Sequence, residues 1–137
     1  MTLEPKDKEL LSDLRMAKAR EFLGDAEANL KEDRLLTSVN RSYYAALNAV
    51  RSLLILEGVD PESHDGAVTL LSLRFVKPGL LPVNVVKQFK LLLSRRTDVD
   101  CGDFETVSPD DAKDSSKIAA DLLEVIDTLR KRLLQGE

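Results

Sequence analysis

The chain of 137 residues is 43% apolar and 4% aromatic, has no tryptophan, and carries 20 Lys+Arg against 24 Asp+Glu for a net charge of −4. This suits one domain with one aliphatic core; the acid excess argues against a surface coated for non-specific nucleic-acid binding, but not against a local basic groove. A single cysteine, Cys101, excludes an internal disulfide and a Cys-rich zinc site, and a lone His64 removes the commonest partner of a metal or a Ser/Cys nucleophile.

No apolar run nears the ~20 residues that span a bilayer, and the polar, acid-bearing Met1–Lys8 does not read as a signal peptide. The expected setting is a reducing cytoplasm, with no membrane, metal or cofactor. Apolar residues recur in steps of three and four and nowhere alternate, so the expected fold is all-α: an up-and-down four-helix bundle with an additional short helix. No repeat or second domain interrupts it, which leaves a single domain over residues 1–137.

The first helix is predicted from about Lys6 to Lys31. It has one apolar patch at Leu10, Leu14 and Ala17 and a second at Phe22, Ala26 and Leu30, with Gly24 between. The patches are slightly out of register, which marks residues 1–17 as an N-terminal helical extension that bends away or packs on a partner. The second helix runs from about Leu35 to Leu56 and stops at Gly58, with Pro61 in the loop beyond. Leu36, Val39, Tyr43, Ala46, Val50 and Leu53 make its core face. Asn40, Arg41, Tyr44, Asn48 and Arg51 make a polar stripe beside that face.

A shorter helix is expected from His64 to Phe75, capped by Ser63 and followed by the turn Lys77-Pro78-Gly79. The fourth helix starts near Pro82, buries Val85, Val86, Phe89, Leu92 and Leu93, and ends around Thr97. An acidic loop, Asp98 to Glu105, follows with Phe104 as its one apolar anchor. The fifth helix is the clearest: Ser108 as cap, Pro109 at the first helical position, Asp110 and Asp111 in the first turn. Its seam is Ala112, Ser115, Ala119, Leu122, Ile126, Leu129 and Leu133, and it ends near Leu134.

Amides, guanidinium groups and a phenol beside a packed seam suit a groove that binds an anion or a base. The competing reading is a hydrogen-bond network tying the second helix to the acidic loop, with Arg41 meeting Asp100 or Asp103. Arg95-Arg96 reads either as a phosphate clamp or as a cationic helix end paired with Asp98 or Asp100. Arg96 is the better placed, since it follows Phe89 and Leu93 along the edge of the buried face. His64 beside Asp65 at a helix start reads as a capping or solvent-facing residue. Cys101 reads as inert, because acidic neighbours raise a thiol's pKa. The acidic loop lacks the glycine offset and closing Glu of an EF-hand, so no metal is expected there.

Asn40-Arg41-Ser42-Tyr43-Tyr44-Ala45-Ala46 resembles the second helix of HEPN domains, the nucleotide-binding helical domains of prokaryotes and higher eukaryotes. The closer likeness is to their small stand-alone branch, and three further segments match it in order: Ser63-His64-Asp65-Gly66-Ala67-Val68, then Arg74-Phe75-Val76-Lys77-Pro78-Gly79, then Arg96 with Asp100-Cys101-Gly102-Asp103-Phe104. The resemblance covers roughly residues 18–134. It implies a homodimer, and many such domains are metal-independent ribonucleases, often the toxin of a toxin–antitoxin pair with a small nucleotidyltransferase. Their active site is an Arg followed a turn or two later by a His, where the His moves a proton and the Arg holds phosphate charge. Here Arg95 and Arg96 stand in place, but no His follows, and the position carries Cys101.

The expected function is therefore a module binding RNA, a nucleotide or a nucleotidyltransferase partner, since the ribonuclease Arg…His motif lacks its His. Its phosphate- or nucleotide-binding candidates are Arg41, Tyr44, Asn48, Arg51, Arg95 and Arg96, and its structural polar network is Asn40, Asp100 and Asp103. One alternative is a metal-independent endoribonuclease that uses Arg96 without the usual His. The other is a structural adaptor whose polar groove is internal wiring.

Overall fold

Two serine caps set the register of the bundle. Ser108 Oγ accepts the Asp111 amide at 3.0 Å and starts a helix over Pro109–Leu134 (α5), as the sequence predicts. Ser63 Oγ accepts the Gly66 amide at 2.9 Å and starts His64–Leu71 (α3). A Cβ on residue 66 would lie 2.8 Å from that hydroxyl, so glycine is what lets this cap close. The computed structural model describes residues 3–101 and 107–136, without the side chain of Cys101. Asp103 and Phe104 lie outside the described residues.

The remaining helices are Pro5–Lys31 (α1), Leu35–Leu54 (α2) and Asn84–Cys101 (α4), and no strand occurs among the described residues. A 3₁₀ turn over Ile55–Glu57 ends α2 at Gly58, whose φ of 76° is the left-handed cap expected there. A π-helical turn over Ser72–Val76 ends α3 and seats Phe75 fully in the core. The architecture is the expected all-α bundle.

Helix α2 is its centre. Val39, Tyr43, Ala46, Val50 and Leu53 are buried as expected, but so are Ser38, Ser42, Ala45, Ala49 and Ser52, so the helix is enclosed on more than one side. Against it α1 buries Ser12, Met16, Ala19 and Ala26. Small side chains let the two backbones approach, and their hydroxyls are satisfied by carbonyls: Ser12 to Ser52 O at 2.7 Å and Ser38 to Ala26 O at 2.8 Å.

Helix α1 does not bend away, and its first apolar patch is left on the surface, where it could pack on a partner. Leu10, Leu14 and Ala17 are exposed, and α1 runs unbroken through Gly24 with its serine–alanine face inward. Leu36 on α2 is likewise exposed rather than core.

Helix α5 closes over α1 and α2 with Ala112, Ser115, Ala119, Leu122, Ile126 and Leu129 buried; Leu133 is half-buried. A buried ion cluster locks it to α1. Arg130 bonds Asp127 at 2.9 Å and Asp13 at 2.6 Å, while Arg20 bonds the second Asp127 oxygen at 2.7 Å. Burial by itself would raise the Asp127 carboxyl; the hydrogen bonds from Arg20 and Arg130 hold it below the usual range instead.

Helix α4 buries Val85, Phe89 and Leu92, with Val86 and Leu93 half-buried. It continues past Thr97 to Cys101, so Asp98 and Asp100 belong to its last turn and not to a loop. An intrahelical Arg96–Asp100 pair at 2.8 Å supports that extra turn, although acids there oppose the helix dipole.

Placing an unpaired charge at a fully buried position should cost on the order of 3–5 kcal/mol, so Val50→Asp or Ile126→Asp should lower the melting temperature sharply. Leu14→Ser, at a position 57% exposed, should stay within about 0.5 kcal/mol. Thermal melts of the three variants check the assignment, because a large loss from Leu14→Ser would return α1's outer face to the core.

Candidate functional site

Tyr43 has no solvent exposure, and its ring stacks on Phe89 of α4 at 5.8 Å between centroids with 8° between planes. A buried phenol needs a partner for its hydroxyl. It finds His64, whose Nδ1 lies 2.5 Å away at the first position of α3, where the Ser63–Gly66 cap holds it. Tyr44 packs edge-on to Tyr43 at 5.2 Å and lies 6.5 Å from the His64 ring. The Arg96 guanidinium sits over the same two phenols, 5.8 Å from the Tyr43 centroid and 5.5 Å from that of Tyr44. The structure thus assembles Tyr43, Tyr44, His64 and Arg96 from three helices.

Asp100 flanks this cluster. It lies 2.8 Å from Arg96 Nε and accepts from Asn40 Nδ2 at 3.3 Å on both oxygens. The Arg96 Nε contact is close but misaligned, so among the described residues that buried N–H has no hydrogen bond, and neither does the buried Nε of Arg51. Arg51 reaches Asp60 at 3.5 Å, where Arg15 already holds both carboxylate oxygens at 3.1 and 3.2 Å.

The other members of the predicted site lie apart from this cluster. Arg95 points to α5, at 2.9 Å from Asp114 and 3.0 Å from Ser115 Oγ, and acts as a brace between helices. Asn48 returns its amide to Tyr44 O on its own helix at 2.8 Å. Arg41 lies over the Phe22 ring of α1 at 5.3 Å; Asn40, one residue earlier and about 100° round the helix, meets Asp100 in its stead. Among the described residues no three of His, Cys, Asp and Glu stand together as a metal-ligand set, and no helix is long and apolar enough to cross a membrane.

His64 is the residue that sequence reasoning misplaced. Read along the chain it sits far upstream of Arg96 as a surface cap, whereas in the fold it is half-buried and feels Arg96 directly. Two signals pointed there: a tyrosine at a core position whose hydroxyl needs an acceptor, and a capped helix start with Gly66 that fixes where position 64 lies. Burial, then the charges of Arg96 and Arg51, push the His64 imidazole below its ordinary 6.5, with Asp65 opposing them. Burial also holds the Tyr43 hydroxyl well above the usual phenol range, so it keeps its proton. A neutral imidazole beside a protonated phenol is best satisfied when Tyr43 O–H donates to Nδ1. The ring proton then sits on Nε2, as a hydrogen-bond donor.

The sequence profile of the HEPN domain matches residues 12–131 of this chain. The chain belongs to the HEPN domain family. Relatives within it include a UPF0332 protein of Thermotoga maritima, 31% identical over 123 residues that cover 90% of this chain and 93% of the relative. A UPF0332 protein of Pyrococcus horikoshii is 36% identical over 61 residues, 44% of this chain and 43% of its own length. One from Gloeobacter violaceus is 29% identical over 76 residues, 50% of this chain and 60% of the relative. In this HEPN chain the polar cluster lies wholly within the matched segment.

His64 is the only histidine, so its ring proton resonances titrate alone. Their midpoint should fall below the ordinary 6.5 and move up toward it in Arg96→Ala, since Arg96 is the largest charge depressing it. Because the folded value is the lower one, the group's contribution to stability is complete above about pH 6.5 and is lost as pH falls through the folded midpoint. A midpoint unchanged by Arg96→Ala would separate the two residues.

Proposed function

We propose that this HEPN chain is a module that binds a phosphate group of RNA or a nucleotide at Arg96, with His64 and Tyr44 beside it. What carries the reading is the Arg96 guanidinium held over two phenols next to a neutral imidazole. The cation is oriented but its Nε–H has no hydrogen bond among the described residues, and the His64 Nε2–H adds a second donor. Tyr44, half-buried at the edge of the cluster, suits contact with a base or ribose. Arg51 supports the site by its charge. A phosphate would compete with Asp100 for Arg96, so binding should be salt-sensitive and modest in affinity.

Cleavage is the second reading, and the position of His64 favours it over a cleavage route with no histidine at all. A 2′-hydroxyl proton would need an acceptor, and with Nδ1 engaged by Tyr43 the His64 ring offers a donor instead. Accepting at Nε2 requires the other tautomer, with Nδ1–H turned to the Tyr43 oxygen and the Tyr43 proton left without its acceptor in a buried place. The arrangement therefore suits holding phosphate better than moving a proton.

Fluorescence anisotropy with a short labelled oligouridylate, and with ATP as competitor, tests this. Binding should weaken with added salt and fall about tenfold or more in Arg96→Ala, with a smaller loss in His64→Ala. No change in Arg96→Ala would turn the cluster into internal structure and favour a protein partner such as a nucleotidyltransferase. EDTA-resistant RNA cleavage lost in both variants would replace the binding reading with the nuclease. As in the family, we further propose a homodimer, and the exposed Leu10 and Leu14 of α1 offer apolar surface for it. Light scattering at micromolar concentration should report twice the chain mass; a monomer would refute it.

A further inference from the structure

Residues 66–97 hold six of the 20 cations (Arg74, Lys77, Lys87, Lys90, Arg95 and Arg96) and none of the 24 acids. In a chain of net charge −4 this is a sharp segregation, and it falls within α3, its π turn and α4, whose own acids, Asp65, Asp98 and Asp100, stand at the outer ends. Arg95 and Arg96 pair with Asp114 and Asp100. The other four are exposed, and none pairs with a carboxylate among the described residues. The same face exposes aliphatic side chains, Leu73 at 52% and Val83 at 62%. Lys87 and Lys90 share one side of α4, three residues apart, and Val83 stands immediately before its first residue. Between α3 and α4 lies a shallow groove of about 290 Å³ lined by Val68, Thr69, Ser72, Leu73, Val86 and Lys90.

From this we infer that the α3–α4 face is a docking surface for an acidic partner polypeptide that brings apolar side chains of its own. The charge calls for a polyanion, and the exposed leucine and valine say which kind. A single-stranded nucleic acid would want aromatic platforms, and the only two aromatics of this segment, Phe75 and Phe89, are fully buried. A second copy of the chain, paired two-fold on this face, would set Lys87 and Lys90 against their own equivalents. A concave seam between two helices suits the apolar ridge of a helix or strand better than the plane of a bilayer. A polypeptide with leucines at helical spacing and glutamates beside them satisfies both halves of the surface. The site lies along α3 and α4, with Lys90 in its wall, and is distinct from the Arg96–His64 cluster.

The probe is a labelled amphipathic peptide with leucine every three or four residues and glutamate between, compared with oligouridylate and with phosphatidylserine-containing vesicles. The peptide should bind the full chain, weaken as salt is raised, and lose about tenfold or more in affinity in the double variant Lys87→Glu/Lys90→Glu. Leu73→Ser should weaken the peptide but not the oligonucleotide. All these positions are exposed, so thermal melts should stay close to wild type and remove unfolding as an explanation. Arg96→Ala should leave peptide binding intact, which separates this surface from the phosphate site. Absence of peptide binding at low salt would overturn the inference. So would oligouridylate or vesicle binding that falls with the lysine reversals while peptide binding does not.

Discussion

The bundle's functional end depends on one buried hydroxyl. Tyr43 stands at a core position of α2, stacked on Phe89, where its ring is worth burying and its O–H is not. Leaving that O–H unpaired would cost about 1–3 kcal/mol, so α3 must begin where His64 can meet it. The cap of Ser63 on Gly66 fixes that beginning, and Gly66 is the residue small enough to allow it. From this single contact follow the approach of α3 to α2 and the place of His64 beside Arg96, where burial and that charge keep the imidazole neutral. Packing and chemistry share the same atoms.

Arg96 shows how far such a site can be prepared without being consumed. Two aromatic faces and Asp100 hold the guanidinium, while Asn40 holds Asp100 from the other side. Full neutralisation would leave no binding capacity, and a bare cation would be expensive to keep half-buried. The misaligned Nε–H lies between these limits, since the charge is balanced but the hydrogen bond is not made. Arg95, its neighbour, is spent on Asp114 and Ser115 in tying α4 to α5. Adjacent arginines on a helix face about 100° apart, and here one braces the bundle while the other faces the cluster.

How much of this could be read in the chain depends on which physical signal each element carries. Helix α5 was legible to the residue, because a serine cap, a proline and a seam of aliphatic residues all agree. The inner face of α1 was not, because helices that touch through Ser12, Ala19 and Ala26 leave no apolar periodicity, and the leucines that do show one face outward. The last turn of α4 was hidden by its acids, which read as a loop until Arg96 and Asp100 pair within the helix. Arg96 was legible as a cation on the edge of a buried face. His64 was not, since a helix start in another part of the chain shows nothing of the element it leans on. The hydroxyl of a core tyrosine and the capped helix start at Gly66 were the local clues to it.

The distribution of charge then explains why the two sides of the bundle look so different. Between α1 and α5, acids and cations are taken inside and satisfied: Asp127 and Arg130 are almost wholly buried and bond to each other and to Arg20 and Asp13. Such a cluster is weak as a source of net stability, but it fixes one register, because any shift would strand a buried charge. The α3–α4 side carries acids only at its outer ends, Asp65, Asp98 and Asp100, and fully buries no cation, so its register must come from Phe75, Phe89 and Leu71 packing into the core. Its exposed lysines can then vary in partner without cost to the fold. Electrostatics thus fixes the α1–α5 side of the molecule and leaves the exposed lysines of the α3–α4 side available for contact.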